Sequence, residues 1–229
     1  MTRCLVRWAR ARDRADDRAL LDDAERRRYD GFVASADRHR FVTGRVLVRQ
    51  TLGTLLGLAP QEVPIARDCR HCGRPHGKPY VPGAAVRFSL SHSGHWVGLA
   101  VTPGPGAEPG LDVQEVRHGI FSRLAVRVLT PHEHADVDTG PTEDRDRRFT
   151  VLWARKEALL KADGRGLAVP LRSFAVSGPD EPPAVRFAGR LGDRPTALLT
   201  PAGPGPGYVA AVAVVGTRAV ELAEHPAPP

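Results

Sequence analysis

Apolar positions along the chain fall into a recurring plan of strand, helix and paired strands. Cys4 to Trp8 alternates as a first strand, and the charged stretch 15–30 carries a narrow apolar stripe (Leu20, Leu21, Ala24, Tyr29) that predicts a surface helix. Residues 37–58 show the clearest helical period, with Phe41, Leu47, Val48, Leu52, Leu55 and Leu56 toward a core and Gly57 and Pro60 as the stop. Arg38, Arg40, Arg45 and Arg49 are then expected on that helix's solvent side, as Arg26, Arg27 and Arg28 are on the first. A loop spans 59–85. Phe88 to Val101 reads as strand, polar turn and strand, and 103–109 as a Pro/Gly connector that divides the chain.

After the connector, Gly110 to Val116 reads as a short strand. Asp112 and Gln114 share one of its faces, while Glu115 turns away with Leu111 and Val113. Residues 120–129 predict a short amphipathic helix. Thr130-Pro131-His132-Glu133 is a capping box with proline at the first helical position, opening another helix. A polar loop is expected over 136–146, and a long helix over about 142–163 that runs into Gly164. Strands at 174–176, 184–187, 197–200, 208–215 and 219–222 follow, then a Pro-rich tail. Tyr208-Val209-Ala210-Ala211-Val212-Ala213-Val214 echoes Trp96-Val97-Gly98-Leu99-Ala100-Val101. The echo suggests two similar α+β halves, 1–104 and 105–229.

Composition narrows the partners. The net charge of +7 over 229 residues points to an anion: a nucleic acid, a phosphorylated small molecule or an acidic protein. Aromatic residues make up 6% and do not interleave with the basic ones, which argues against a nucleic-acid surface. The first residues lack the apolar core of a secretory signal, and no run reaches membrane-spanning length. A cytoplasmic protein without membrane contact is expected, its three cysteines reduced. Cys69-Arg70-His71-Cys72, with His76 nearby, offers half a zinc ligand set, and a loop with reduced thiols is preferred to a bound zinc.

Of 33 basic residues only Lys78, Lys156 and Lys161 are lysines, so lysine stands where a compact ammonium is wanted rather than a planar fork. Two of the three lie in Trp153-Ala154-Arg155-Lys156-Glu157-Ala158-Leu159-Leu160-Lys161. There Glu157 and Lys161 project on one side, at the edge of a packed interface. An exposed pair at that spacing is worth only about 0.2–0.5 kcal/mol. The turn Ser91-His92-Ser93-Gly94 offers hydroxyls, an imidazole and backbone N–H groups to an anion, or is an ordinary hairpin turn. It is no hydrolase triad, because adjacent side chains on an extended strand diverge.

Taken in order, these motifs resemble the Sfp-type 4′-phosphopantetheinyl transferases. The resemblance runs through Asp37-Arg38-His39-Arg40 to Gly44, Gly77-Lys78-Pro79-Tyr80, Phe88 to Gly94, Gly110-Leu111-Asp112, and Trp153-x-x-Lys156-Glu157-Ala158-x-x-Lys161-x-x-Gly164-x-Gly166-Leu167. It implies a monomer of two pseudo-symmetric α+β halves with the active site in the cleft between them. It implies transfer of phosphopantetheine from coenzyme A to a serine of an acidic acyl or peptidyl carrier protein, dependent on Mg²⁺ or Mn²⁺, with release of adenosine 3′,5′-bisphosphate. Polyketide or non-ribosomal peptide synthases are the carriers it suggests.

By that resemblance Glu157 and Lys161 are catalytic. Arg28, Arg40, Lys78, Pro79, Ser91, His92, Asp112 and Lys161 bind coenzyme A. Asp112 and Glu157 hold the metal, with Gln114 as a weaker ligand, directly or through water. Lys156, a turn off the Glu157 side, is as much a structural as a catalytic candidate. Ile120, Phe121 and Leu124 are either carrier contacts or core. One departure matters: family members often carry Asp-x-Glu where this chain has Asp112-Val113-Gln114, and an amide brings no negative charge. A coenzyme A-binding protein that has lost catalysis is therefore the rival reading.

Overall fold

A computed structural model describes residues 1–68, 73, 74 and 77–226. Strand β1 (Thr2–Arg10) leads into two short helices, α1 (Ala15–Ala19) and α2 (Asp23–Asp30), and then the long α3 (Ser35–Leu56). The single helix expected over 15–30 is broken at Leu20, Leu21 and Asp22. Leu21 turns into the core, and Asp22 caps α2 in a reciprocal box with Glu25. A residue whose side chain satisfies the first free amides of one helix cannot sit inside another.

Gly57, at φ 67°, closes α3 in the left-handed conformation that glycine adopts without penalty. The hairpin β2 (Arg87–Ser93) and β3 (Trp96–Thr102) completes the first half. The second begins with β4 (Glu108–Glu115), followed by α4 (Ile120–Val128), α5 (Pro131–Asp138) and α6 (Arg145–Asp163). The polar loop expected over 136–146 is shorter than read, because α5 runs to Asp138 and α6 starts at Arg145. A small hairpin of β5 (Ala175–Val176) and β6 (Val185–Phe187) precedes β7 (Thr196–Leu199), β8 (Tyr208–Val215) and β9 (Val220–Pro226). Residues 227–229, the end of the Pro-rich tail, lie outside the described residues.

The strands form two main sheets, ordered β2-β3-β1-β9 and β4-β8-β7. Each contains a long first strand paired antiparallel with the last strand of a hairpin. Trp96 stands opposite Arg10 and Tyr208 opposite Glu115, so the repeat seen in the sequence is also a repeat of register. Counting back from those pairs, Arg7 on β1 takes the place that Asp112 takes on β4. β9 leaves the second half and lies parallel to β1 in the first sheet.

The sheets and helices stack in four layers. α3 covers one face of the first sheet through Leu47, Val48, Leu52, Phe88 and Leu99. The other face meets the second sheet through Cys4, Val6, Trp8, Leu111, Val113 and Val212. α6 then covers the outside of the second sheet through Leu152, Ala158, Leu159, Ala211 and Ala213. Phe88 and Phe149, both fully buried, each contribute about 1.5–3 kcal/mol of apolar burial. Gly110 lets α6 lie directly on β4, since a Cβ there would overlap the Ala158 carbonyl and the Ala162 amide.

Two expectations about α3 are corrected. Arg45 and Arg49 are 6% and 3% exposed, not solvent-facing. α2 folds over that side of the helix and brings Glu25, which lies 3.3 Å from Arg45 and 2.9 Å from Arg49. Arg49 also donates to the Val63 carbonyl. Leu55, read as core, is 46% exposed, while Leu56 beside it packs against the core.

Candidate active site

Where the sheets meet, β2 and β4 lie side by side but share no backbone ladder. Serines replace it. Ser89, Ser91 and Ser93 accept the amides of Leu111, Val113 and Glu115 at 3.1, 3.2 and 2.9 Å. Alternate residues of β4 thus turn their N–H groups to β2, and the residues between them turn their side chains to α6. Asp112 is one of those, 2% exposed and reached by protein donors on both oxygens. Oδ1 lies 2.6 Å from Lys161 Nζ and accepts the Ser91 hydroxyl at 3.0 Å, while Oδ2 accepts the Gln114 amide at 2.8 Å. Asp112 and Gln114 share a face, as the alternation predicted.

Glu157 sits one turn before Lys161 on α6, on the same side. Burial pushes its carboxyl above the usual range, and the negative charge of Asp112 adds to that. The Lys161 ammonium and a hydrogen bond from Trp153 pull the other way. Two carboxylates from different elements therefore feel each other in a low-dielectric site, which is a fitting environment for a divalent cation. Among the described residues no group of three or more His, Cys, Asp or Glu gathers as a metal site, so the candidate donors here are two carboxylates and the Gln114 amide. Cys69, Cys72 and their histidines lie outside the described residues.

Glu157 and Lys161 open on a cavity of about 840 Å³ between α3, β2 and the end of α6. Seven cationic side chains line it (Arg28, Arg40, Arg45, Arg67, Lys78, Lys161 and Arg165) against Asp37 and Glu157. Arg28 and Arg45 stack over the Phe41 ring at 5.5 and 5.1 Å. Burial, and then the neighbouring Arg67, push the Arg45 guanidinium down to about 10, so it stays charged. His92 also lines the cavity. Burial lowers its pKa, and Arg40 and Lys161 reinforce the effect, which favours the neutral ring.

The predicted residues thus divide. Arg28, Arg40, Lys78, Pro79, His92, Glu157 and Lys161 line one cavity. Ser91 and Asp112 are absent from its described lining and stand behind Lys161. The Lys78 ammonium is engaged by Glu108 at 3.0 Å and by the carbonyls of Pro109 and Ala162. Lys156 lies elsewhere: fully buried, 2.7 Å from Glu133, and bonded to the carbonyls of Leu171 and Phe174. Phe121 packs on Phe149 and His134 in the core, with Ile120 and Leu124 half-buried against it. Arg45, Arg67 and Arg165 were not singled out for the site. Arg45 had a signal, since it stands one helical turn beyond Phe41, the neighbour of Arg40.

Both halves of this arrangement match known sequence families. The 4′-phosphopantetheinyl transferase N-terminal model matches residues 7–104, and the 4′-phosphopantetheinyl transferase superfamily model matches 108–213. A 4′-phosphopantetheinyl transferase of Bacillus subtilis is 30% identical over 164 residues, which is 71% of this chain and 69% of the relative. The chain belongs to the 4′-phosphopantetheinyl transferase superfamily. HetI of Nostoc sp., also named a 4′-phosphopantetheinyl transferase, is 31% identical to this transferase over 86% of this chain and 80% of its own. The holo-[acyl-carrier-protein] synthase of Thermotoga maritima overlaps 48% of this transferase and 64% of its own chain, at 22% identity and a TM-score of 0.41. No helix among the described residues is long and apolar enough to cross a membrane.

Proposed function

We propose that this transferase moves 4′-phosphopantetheine from coenzyme A to a serine hydroxyl of an apo carrier protein and releases adenosine 3′,5′-bisphosphate. The observation that carries the reading is the buried Asp112, with Lys161 on it and Glu157 beside it, at the inner end of a cation-lined cavity. Coenzyme A offers a phosphate monoester and a diphosphate, and the arginines around Phe41 suit the nucleotide end. Lys161 suits the diphosphate, whose charge must be neutralised as the bond breaks. His92, Arg40, Lys78 and Pro79 complete the nucleotide wall, and Ser91 acts from behind by holding Lys161 and Asp112.

In the reaction the serine oxygen bonds to the phosphorus that carries pantetheine, and the bridging P–O bond of the diphosphate breaks. The leaving phosphate keeps that electron pair. Glu157 takes the serine proton. A carboxyl raised toward neutrality by burial is better matched to that task than an exposed one. Asp112 and Glu157 would hold Mg²⁺ or Mn²⁺, with the Gln114 amide oxygen as a neutral third donor, directly or through water. When bound, the ion supplies positive charge to the diphosphate oxygens.

Residues 1–104 and 105–229 each provide one wall of the cavity, so a single copy completes the site, which supports a monomer. The positive charge suits an acidic, transiently bound carrier, and half-buried Ile120 and Leu124 are the apolar contacts proposed for it. The Sfp-type motifs support polyketide or non-ribosomal peptide synthases as the source of carriers, in the cytoplasm.

The experiment is incubation with coenzyme A, Mg²⁺ and an apo carrier, read by mass spectrometry. Gain of a phosphopantetheine mass on the carrier supports the reading. Binding of coenzyme A without transfer supports the degenerate alternative that Gln114 raises.

A further inference from the structure

The Lys161 ammonium stands where a cation would meet Asp112. Nζ lies 2.6 Å from Asp112 Oδ1 and 2.8 Å from Ser91 Oγ, and Ser91 donates to that same oxygen. Gln114 occupies the other oxygen at 2.8 Å. A carboxylate that is 2% exposed is thus engaged on both oxygens by the protein itself. The Lys161 side chain is 30% exposed and lines the cavity, so its flexible stem can carry the charge toward an anion lodged there.

We infer that Lys161 and the divalent cation compete for Asp112, and that the diphosphate of coenzyme A ends the competition by drawing the ammonium away. The inference rests on the proposed metal role of Asp112 and Glu157. Two cations on one carboxylate oxygen repel each other strongly in a buried site. With Gln114 where a further carboxylate would have stood, the site lacks the negative charge to hold both. The free enzyme therefore binds the metal weakly, and metal and coenzyme enter as a coupled pair. By linkage, each raises the other's affinity by the same factor.

The test is Mn²⁺ binding to the metal-free protein, followed by the electron paramagnetic resonance of unbound Mn²⁺ at a fixed, mildly alkaline pH. Wild type, Lys161→Gln and Lys161→Met are compared with and without coenzyme A, in the absence of any carrier. Wild type is expected to bind Mn²⁺ about tenfold or more tightly with coenzyme A than without it. Both variants are expected to bind Mn²⁺ alone several-fold more tightly than wild type, and to gain less from coenzyme A. Either variant suffices, with a melting curve to show that it is folded.

Equal or weaker Mn²⁺ binding by the free variants would overturn the inference, since any coupling would then come from diphosphate oxygens ligating the metal alone. So would a wild type whose Mn²⁺ affinity ignores coenzyme A. A parallel transfer assay separates the two levels. No transfer by wild type sinks the proposed function, whereas transfer with unchanged Mn²⁺ affinity in the variants sinks only the competition.

Discussion

The first half sets β1, α3 and the β2–β3 hairpin in the same order and register in which the second sets β4, α6 and the β7–β8 pair. What they display differs. At matched strand positions β1 carries Arg7 and β4 carries Asp112. α3 gives the cavity Arg40, Phe41 and Arg45, whereas α6 gives it Glu157 and Lys161. In the proposed function one wall holds the polyanion and the other acts on it. Packing constrains the apolar layers to repeat, but it leaves the side chains at the seam open to diverge, and there the chemistry resides.

The sharpest way to break the comparison is to remove the proposed base from the second half. Glu157→Gln should lower single-turnover transfer by about 10²–10⁴-fold while leaving coenzyme A binding in the absence of metal, which the cations of the first half are proposed to dominate, nearly intact. Calorimetry of the variant with coenzyme A checks the second clause.

Both helices bury cations, but only α6 carries a fully buried ammonium. Lys156→Met should cost about 3–5 kcal/mol of stability, read by denaturant unfolding, because it strands Glu133 at 1% exposure. A milder contrast uses two glycines. Gly110→Ala must push α6 off β4 and should cost about 1–3 kcal/mol, with a loss of activity as Glu157 moves relative to Asp112. Gly44→Ala on α3 would press on a side-chain methyl of Leu90, at 2.9 Å, rather than on backbone, and should be milder in both readouts.

Gln114→Glu sharpens the account of charge at the seam. It should lower the Mg²⁺ concentration needed for half-maximal transfer by about tenfold, within the usual span of such couplings. An unchanged Mg²⁺ dependence would remove Gln114 from the metal site.

The smallest effect is electrostatic. The folded protein favours protonated Glu157, since its carboxyl is raised above the unfolded value. The stability this lends is complete below the unfolded pKa and is lost as pH rises through the folded one. Glu157→Gln should therefore melt progressively higher, relative to wild type, as pH rises through that window.

Much of this was legible in the chain. The alternation that puts Asp112 and Gln114 on one face, the capping box at Thr130 and the glycine stop of α6 are local rules, and local rules can be read from neighbours in sequence. What escaped is non-local. Periodicity put Arg45 and Arg49 in solvent, because nothing near them in sequence announces that Glu25 will fold over α3. The Ser91 hydroxyl also bridges the seam between two sheets, a partnership set by residues some twenty positions away. The break at Asp22 was hidden because one apolar stripe can be drawn through both α1 and α2.

The most direct test of the central claim is a crystal of the transferase grown with coenzyme A and Mn²⁺, with the ion located by its anomalous scattering. A single peak within bonding distance of both the Asp112 and Glu157 carboxylates and of the diphosphate, with Lys161 on the diphosphate, is the predicted result. A peak that touches neither carboxylate, or two carboxylates too far apart to share an ion, would contradict it.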